Sequence, residues 1–169
     1  LMTGEATEEA IYDAFKEQAQ ALEGGGADGC SIETMMDLDE ACLGVRAVKE
    51  NTGLAVFASF TFGTKTAEGY RTMMGVSPED AAQAACAAGA DGLGANCSLG
   101  SAEMAEVVAA LQAAALGVPI IAHPNAGQPI HQDDGSVTYP ETPDDMAANV
   151  PVFVAAGAGI IGGCCGTGP

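Results

Sequence analysis

Three times in this chain a helix-like stretch ends on glycine and runs directly into a short apolar segment. The first reads Gly26-Ala27-Asp28-Gly29 into Cys30-Ser31-Ile32-Glu33-Thr34. The second reads Gly89-Ala90-Asp91-Gly92 into Leu93-Gly94-Ala95-Asn96-Cys97, and the third Gly157-Ala158-Gly159 into Ile160-Ile161-Gly162-Gly163-Cys164-Cys165. A glycine just past a helix adopts the left-handed cap that closes it. The apolar runs that follow are too short for helices and fit buried strands. Two further runs, 54–60 after Thr52-Gly53 and 118–122 after Gly117, bring the strands to five, centred near residues 31, 57, 94, 120 and 161. Helices are expected over 5–24, 38–50, 78–88, 101–115 and 143–156. Pro78 and Pro143 suit first turns, behind Ser77 and Thr142 as N-caps. Helices alternating with apolar strands specify a parallel α/β sheet.

Two α/β architectures compete, a doubly wound open sheet and a (β/α)8 TIM-type barrel. No G-x-G-x-x-G turn follows an early strand, which weakens the dinucleotide-binding form of the first. The pairs Glu33-Thr34, Asn96-Cys97, Pro124-Asn125 and Cys164-Cys165 all fall at carboxyl ends of expected strands. A barrel gathers those ends into one mouth, where its active sites lie. A complete barrel takes eight strands and about 250 residues. Residues 1–169 are therefore expected to hold about the last five β/α units, the C-terminal part of a barrel domain whose N-terminal strands are missing from this sequence. Two long loops, 61–76 and 125–142, exceed the ~12 residues beyond which loops are often functional lids. Variable decoration accounts for each loop, taken alone, equally well.

Composition narrows the function. Hydrophobic residues make up 48%, as in a globular domain. With 23 acids against 5 bases the formal net charge is −18, which repels phosphate backbones and argues against nucleic acid. No apolar run reaches the ~18 residues of a membrane span. The first residues lack the basic start of a signal peptide and soon turn acidic at Glu5, Glu8 and Glu9. A soluble cytoplasmic protein is expected.

Six cysteines occur. Cys30, Cys42 and Cys86 have no partners at ligand spacing, and core packing is the expectation for them. Cys164-Cys165 is the sharpest feature. Gly162-Gly163 lets backbone approach closely and Gly166 lets the chain turn at once. By itself the dipeptide is open to three readings: buried apolar residues first, then a strained vicinal disulfide or two metal ligands. Cys97 changes the balance, because it ends another strand of the same sheet. Three converging thiolates make a site for a soft divalent metal, zinc above all, with a fourth position open for catalysis. Three thiolates and Zn²⁺ sum to −1, a poor Lewis acid for water but a good holder for a nucleophilic sulfur. Binding there would lower a substrate thiol's pKa from about 8.5.

At this point a resemblance becomes specific. Residues 160–167, Ile-Ile-Gly-Gly-Cys-Cys-Gly-Thr, are similar to the closing signature of the homocysteine S-methyltransferase family. Gly94-Ala95-Asn96-Cys97 resembles its G-x-N-C segment, Glu33-Thr34-Met35-Met36-Asp37-Leu38 its E-T-M-x-D-L segment, and Pro124-Asn125-Ala126-Gly127-Gln128-Pro129 its P-N-A-G-x-P segment. Ser59-Phe60-Thr61-Phe62 and Met74-Gly75-Val76-Ser77-Pro78 look like the form found in cobalamin-dependent methionine synthases. The resemblance implies an enzyme that moves a methyl group to the thiol of homocysteine, giving methionine. It implies one zinc on Cys97, Cys164 and Cys165, with Glu33 on the substrate's amino group. It also implies a methyl donor, first a methylcorrinoid recharged by methyltetrahydrofolate, with the cobalamin on a separate domain or protein. S-methylmethionine or betaine are alternative donors, and another thiol the alternative acceptor. The family's N-terminal Asp-Gly-Gly-type strand end has no counterpart in this sequence.

Some residues keep plainer readings. Glu33 also fits a carboxylate capping the next helix. Asn125 fits a turn first, and otherwise a substrate-binding residue at the barrel mouth that is an oxygen ligand when substrate is absent. His123 fits a hydrogen-bonded neutral imidazole, His131 a solvated loop residue, and Asp133-Asp134 and Asp144-Asp145 solvated acids. Two rivals stay open. A non-catalytic, structural zinc-binding barrel fragment would close its fourth position with His123 or Asn125. A redox module would use a Cys164–Cys165 disulfide and leave Cys97 unexplained.

Overall fold

The computed structural model describes residues 6–114 and 117–168. In chain order the elements are α1 (Glu8–Gly24), β1 (Gly29–Met35), α2 (Leu38–Asn51), β2 (Ala55–Phe60), β3 (Thr64–Thr66), β4 (Gly69–Arg71) and α3 (Pro78–Ala88). There follow β5 (Gly92–Asn96), α4 (Ser101–Ala114), β6 (Ile120–His123), β7 (Ile130–His131), β8 (Val137–Thr138), α5 (Pro143–Ala156) and β9 (Ala158–Ile161). Glu5 and Ala115, the expected bounds of two helices, lie outside the described residues.

Helix boundaries follow from local chemistry. Ser77 and Thr142 accept from Asp80 and Asp145 backbone N–H groups, with Pro78 and Pro143 in the first turns. Asp145 returns the bond to Thr142, completing a capping box, so it is a cap rather than merely a solvated acid. Gly89 and Gly157 close α3 and α5 in the left-handed conformation. The Asp of the second repeat locks the base of its strand. Asp91 donates its N–H to Val56 O, and its carboxylate accepts from Val56 N–H and Lys49. Desolvation would raise Asp91, but those two donors outweigh it and hold the carboxyl below its usual range.

Five strands form one parallel sheet in the order β1-β2-β5-β6-β9. Each pairs with the next in chain order, so among the described residues the order never reverses as it does in a doubly wound sheet. This is the pairing of a (β/α)-barrel segment. Successive helices pack on one another, α1 on α2 through to α4 on α5. The core lies between helices and sheet and includes Val45, Val48, Val56, Phe60, Leu93, Met104, Leu111, Ile120 and Phe153. Alanines at 81, 82 and 85 are fully buried and let α3 approach the strands closely. On β1, Ile32 points into this core against Gly44 of α2, while its neighbour Glu33 is exposed on the other side of the strand.

Both long loops contain a small antiparallel hairpin, β3-β4 and β7-β8, where loop alone was expected. Val150, Val152 and Val154 on α5 and Ile160 on β9 are exposed, beside the edge of β9 that has no strand partner among the described residues. No described helix is long and apolar enough to cross a membrane.

Candidate metal centre

The carboxyl ends of β1, β5, β6 and β9 are laced into one rim. Cys97 N–H donates to His123 O, Gly162 N–H to Ala122 O, Cys164 N–H to Pro124 O and Ala126 N–H to Cys165 O. Thr34, Cys97 and Ser98 have φ near +60°, a costly left-handed conformation for residues with side chains. All three sit at this rim, so strain collects where the chemistry is expected.

The lacing brings three sulfurs together. Sγ of Cys97 lies 3.8 Å from Sγ of Cys165, which lies 3.9 Å from Sγ of Cys164. All three fall within 4.8 Å of one another, and among the described residues no His, Asp, Glu or further Cys joins this group. A tetrahedral zinc with Zn–S of about 2.3 Å needs sulfurs about 3.8 Å apart. Two edges of the triangle meet that value, so the residues fit the metal. The thiols are free, not disulfide-bonded.

The backbone around Cys164-Cys165 is held from three sides. Asn125 is 3% exposed, and its Oδ1 accepts the Cys165 N–H at 3.1 Å. Thr167 donates its hydroxyl to Cys164 O. Side chains at Gly162 and Gly166 would strike the rings of His123 and Tyr139, and Gly166 has φ +80°, so both positions need glycine. Tyr139 thus covers the residue after the last sulfur. Desolvation first, then the charge of the neighbouring thiols, pushes its phenol up. For Cys164, desolvation is the main cause of a raised thiol. The charge of Cys97 adds to it, while the Cys165 N–H and the Asn96 amide oppose it.

Glu33 is 45% exposed at the same rim, with Oε1 3.7 Å from Nδ1 of His123. It does not cap α2. Asp37 does, accepting the Glu40 N–H. His123 and Asn125 stand beside the sulfurs without joining them, one turned to Glu33 and the other to the Cys165 backbone. His131 is exposed on β7. Cys30 and Cys86 pack against the core, and burial pushes the Cys30 and Cys42 thiols up.

Sequence reasoning left several rim residues without roles. Buried Asn96 and Ser59 and exposed Thr34 form a hydrogen-bond cluster beside Cys164. Glu141 folds the 125–142 loop back by accepting the Ser101 N–H at the start of α4, where negative charge is favoured.

The comparisons with known proteins agree with this architecture. A family profile described as Homocysteine S-methyltransferase matches residues 2–169. The chain is 36% identical over 165 residues to the methionine synthase of Mycobacterium tuberculosis and 37% identical over 166 residues to that of Mycobacterium leprae. Each alignment covers 94% of this chain but 13% of the relative, so the chain spans a small part of the proteins it matches. The apo form of the homocysteine methyltransferase MmuM from Escherichia coli matches with a TM-score of 0.74 at 21% identity, over 98% of this chain and 54% of that one. A metallated form of the same protein matches with 0.67 at 24% identity, over 92% and 48%. At such identity these structures speak for the fold, which is that of the α/β barrels. With the profile match running through all five β/α units, the chain belongs to the homocysteine S-methyltransferase family.

Proposed function

We propose that this chain is the metal-bearing, C-terminal part of a homocysteine-binding barrel domain. Zinc on Cys97, Cys164 and Cys165 would activate the thiol of homocysteine for methylation to methionine. The observation that carries this is the sulfur triangle at the ends of β5 and β9, with edges of 3.8 and 3.9 Å, on the same rim as an exposed carboxylate. When bound, zinc supplies an open fourth position that holds a substrate thiol as thiolate at neutral pH. The protein's own residues do the rest. Pro124 O and Asn125 Oδ1 occupy the Cys164 and Cys165 N–H groups and fix the turn that presents the sulfurs. Glu33 takes the substrate's ammonium and so places its sulfur. The thiol proton passes to solvent, and the sulfur attacks a methyl carbon in line. The S–C bond forms as the methyl–donor bond breaks, and the donor leaves with its electron pair. The donor we favour is a methylcorrinoid recharged by methyltetrahydrofolate on a separate domain or protein, ahead of S-methylmethionine or betaine. Free thiols fit a cytoplasmic setting.

Zinc analysis with X-ray absorption at the metal edge, before and after homocysteine, tests this directly. One zinc with three sulfurs, gaining a fourth, is expected. No zinc, or a shell that homocysteine leaves unchanged, overturns the proposal. The same centre predicts a pH dependence. Ligation requires thiolates, and Cys164 sits above the ordinary thiol value, so zinc must displace protons at neutral pH. Zinc affinity measured against a chromophoric chelator is expected to fall on acidification, by about tenfold per pH unit for each thiol displaced.

On this reading further strands pair with the outer edges of β1 and β9 and cover Val150, Val152, Val154 and Ile160. The 169-residue chain alone is expected to self-associate through those edges. Sedimentation should depend on concentration for this chain and lose that dependence in a chain extended to a full barrel. A well-behaved monomer of the chain alone would count against the assignment.

A further inference from the structure

We infer that Asn96 is a positioning residue that ties the carboxylate side of the site to its sulfur side. It donates an amide N–H to the sulfur of Cys164 while holding Thr34, the neighbour of Glu33, in its left-handed conformation. The inference rests on the metal-centre reading above and deepens it.

Asn96 is the last residue of β5, immediately before Cys97, and is 1% exposed. Its amide is fully used. Oδ1 accepts from the Thr34 backbone N–H at 2.9 Å and from the Ser59 hydroxyl at 2.8 Å. Nδ2 donates to Thr34 Oγ1 at 2.7 Å and faces Cys164 Sγ at 3.9 Å. The orientation of the amide is forced. A backbone N–H can only donate, so the oxygen must face Thr34 N and the NH₂ must face the sulfur. Among the described residues, the side-chain amide donor on the sulfur triangle falls on Cys164. A thiolate accepts such a bond far better than a thiol does. The bond therefore strengthens when Cys164 becomes a ligand, as groups behind metal ligands commonly do.

The other end of Asn96 holds Thr34 at both its N–H and its hydroxyl, at φ +62°. That grip sets where Glu33 leaves β1. One side chain thus fixes the separation between the group that takes an ammonium and the sulfurs that hold a metal. An apolar residue here would take from the Thr34 N–H the acceptor that holds it.

Asn96→Asp separates the two roles. An aspartate still accepts from Thr34 N–H and Ser59, and the Thr34 hydroxyl can turn to donate to its second oxygen. Only the group facing Cys164 changes, from donor to anion. In the variant, zinc affinity by chelator competition should fall about 10- to 100-fold. The sulfur-to-metal charge-transfer band of the cobalt-substituted protein should shift, with the circular dichroism unchanged. A folded variant with wild-type affinity and an unchanged band overturns the inference. Should the variant not fold, wild-type protein loaded with ¹¹³Cd decides: scalar coupling between the metal and an Asn96 amide proton is expected, and its absence overturns the inference. If wild type shows no thiolate band with cobalt, the metal-centre reading falls and takes this one with it. A wild-type band that the substitution leaves untouched sinks the role of Asn96 alone.

Discussion

Replacing Cys164 with alanine is expected to lower zinc affinity by roughly 100- to 1,000-fold, with the fold intact. Zinc held by four protein ligands is worth roughly 10–16 kcal/mol at neutral pH, so one thiolate's share is about 2.5–4 kcal/mol. The fold should survive because the Cys164 side chain is only half-buried, and the backbone bonds that shape its turn do not involve the sulfur. Cys97→Ala and Cys165→Ala should behave alike, since the three sulfurs share one triangle. Cys30→Ala is the matched control. Its thiol lies on β1 against the core, away from the rim, and its loss should leave zinc untouched. Metal content after dialysis against a chelator, with circular dichroism alongside, reads all four. A Cys164→Ala protein that keeps stoichiometric zinc would remove the ligand assignment. It would leave the core-packing and redox readings of the cysteine pair in its place.

Much of this architecture is legible in the sequence because its signals are local. Pro78 behind Ser77, Pro143 behind Thr142, and Gly89 and Gly157 after their helices each act within a few residues, and the observed ends fall there. The convergence of the three cysteines could be anticipated for a different reason. Each lies just past the carboxyl end of a strand, and a barrel topology brings strand ends together whatever lies between them. The hairpins β3-β4 and β7-β8 escape such reasoning, since Thr64-Lys65-Thr66 and Ile130-His131 are too short and too exposed to show a period. The roles of Asn96, Tyr139 and Glu141 escape it as well. Asn96 meets Thr34 from 62 positions away, Glu141 reaches Ser101 from 40, and Tyr139 matters because Gly166 has no side chain. Long-range pairings of this kind leave no mark on the residues beside them. Glu33 and Asp37 show the same limit in miniature. The sequence leaves a capping role for α2 open at Glu33, and the folded chain gives it to Asp37, directly before the helix.

With capping removed from its possible duties, Glu33 makes a prediction that separates a binding role from a structural one. Glu33→Gln is expected to weaken homocysteine binding to the zinc-loaded protein by about 10- to 100-fold, the worth of a hydrogen bond between charged groups. The carboxylate is 45% exposed on the inner side of β1, and its one close polar neighbour among the described residues is His123, at 3.7 Å. It therefore braces little of the fold, and glutamine keeps its shape. The decisive comparison uses 4-mercaptobutyrate, which is homocysteine without its amino group. Wild type should bind it more weakly than homocysteine by roughly the factor that the substitution costs, and the variant should bind the two thiols alike. Calorimetric titration of both thiols into both proteins completes the cycle without any methyl donor. If the substitution weakens the two thiols equally, Glu33 acts through the shape of the rim and the ammonium is held elsewhere. If neither changes, homocysteine does not reach this carboxylate, and its sulfur must be placed by the metal centre alone.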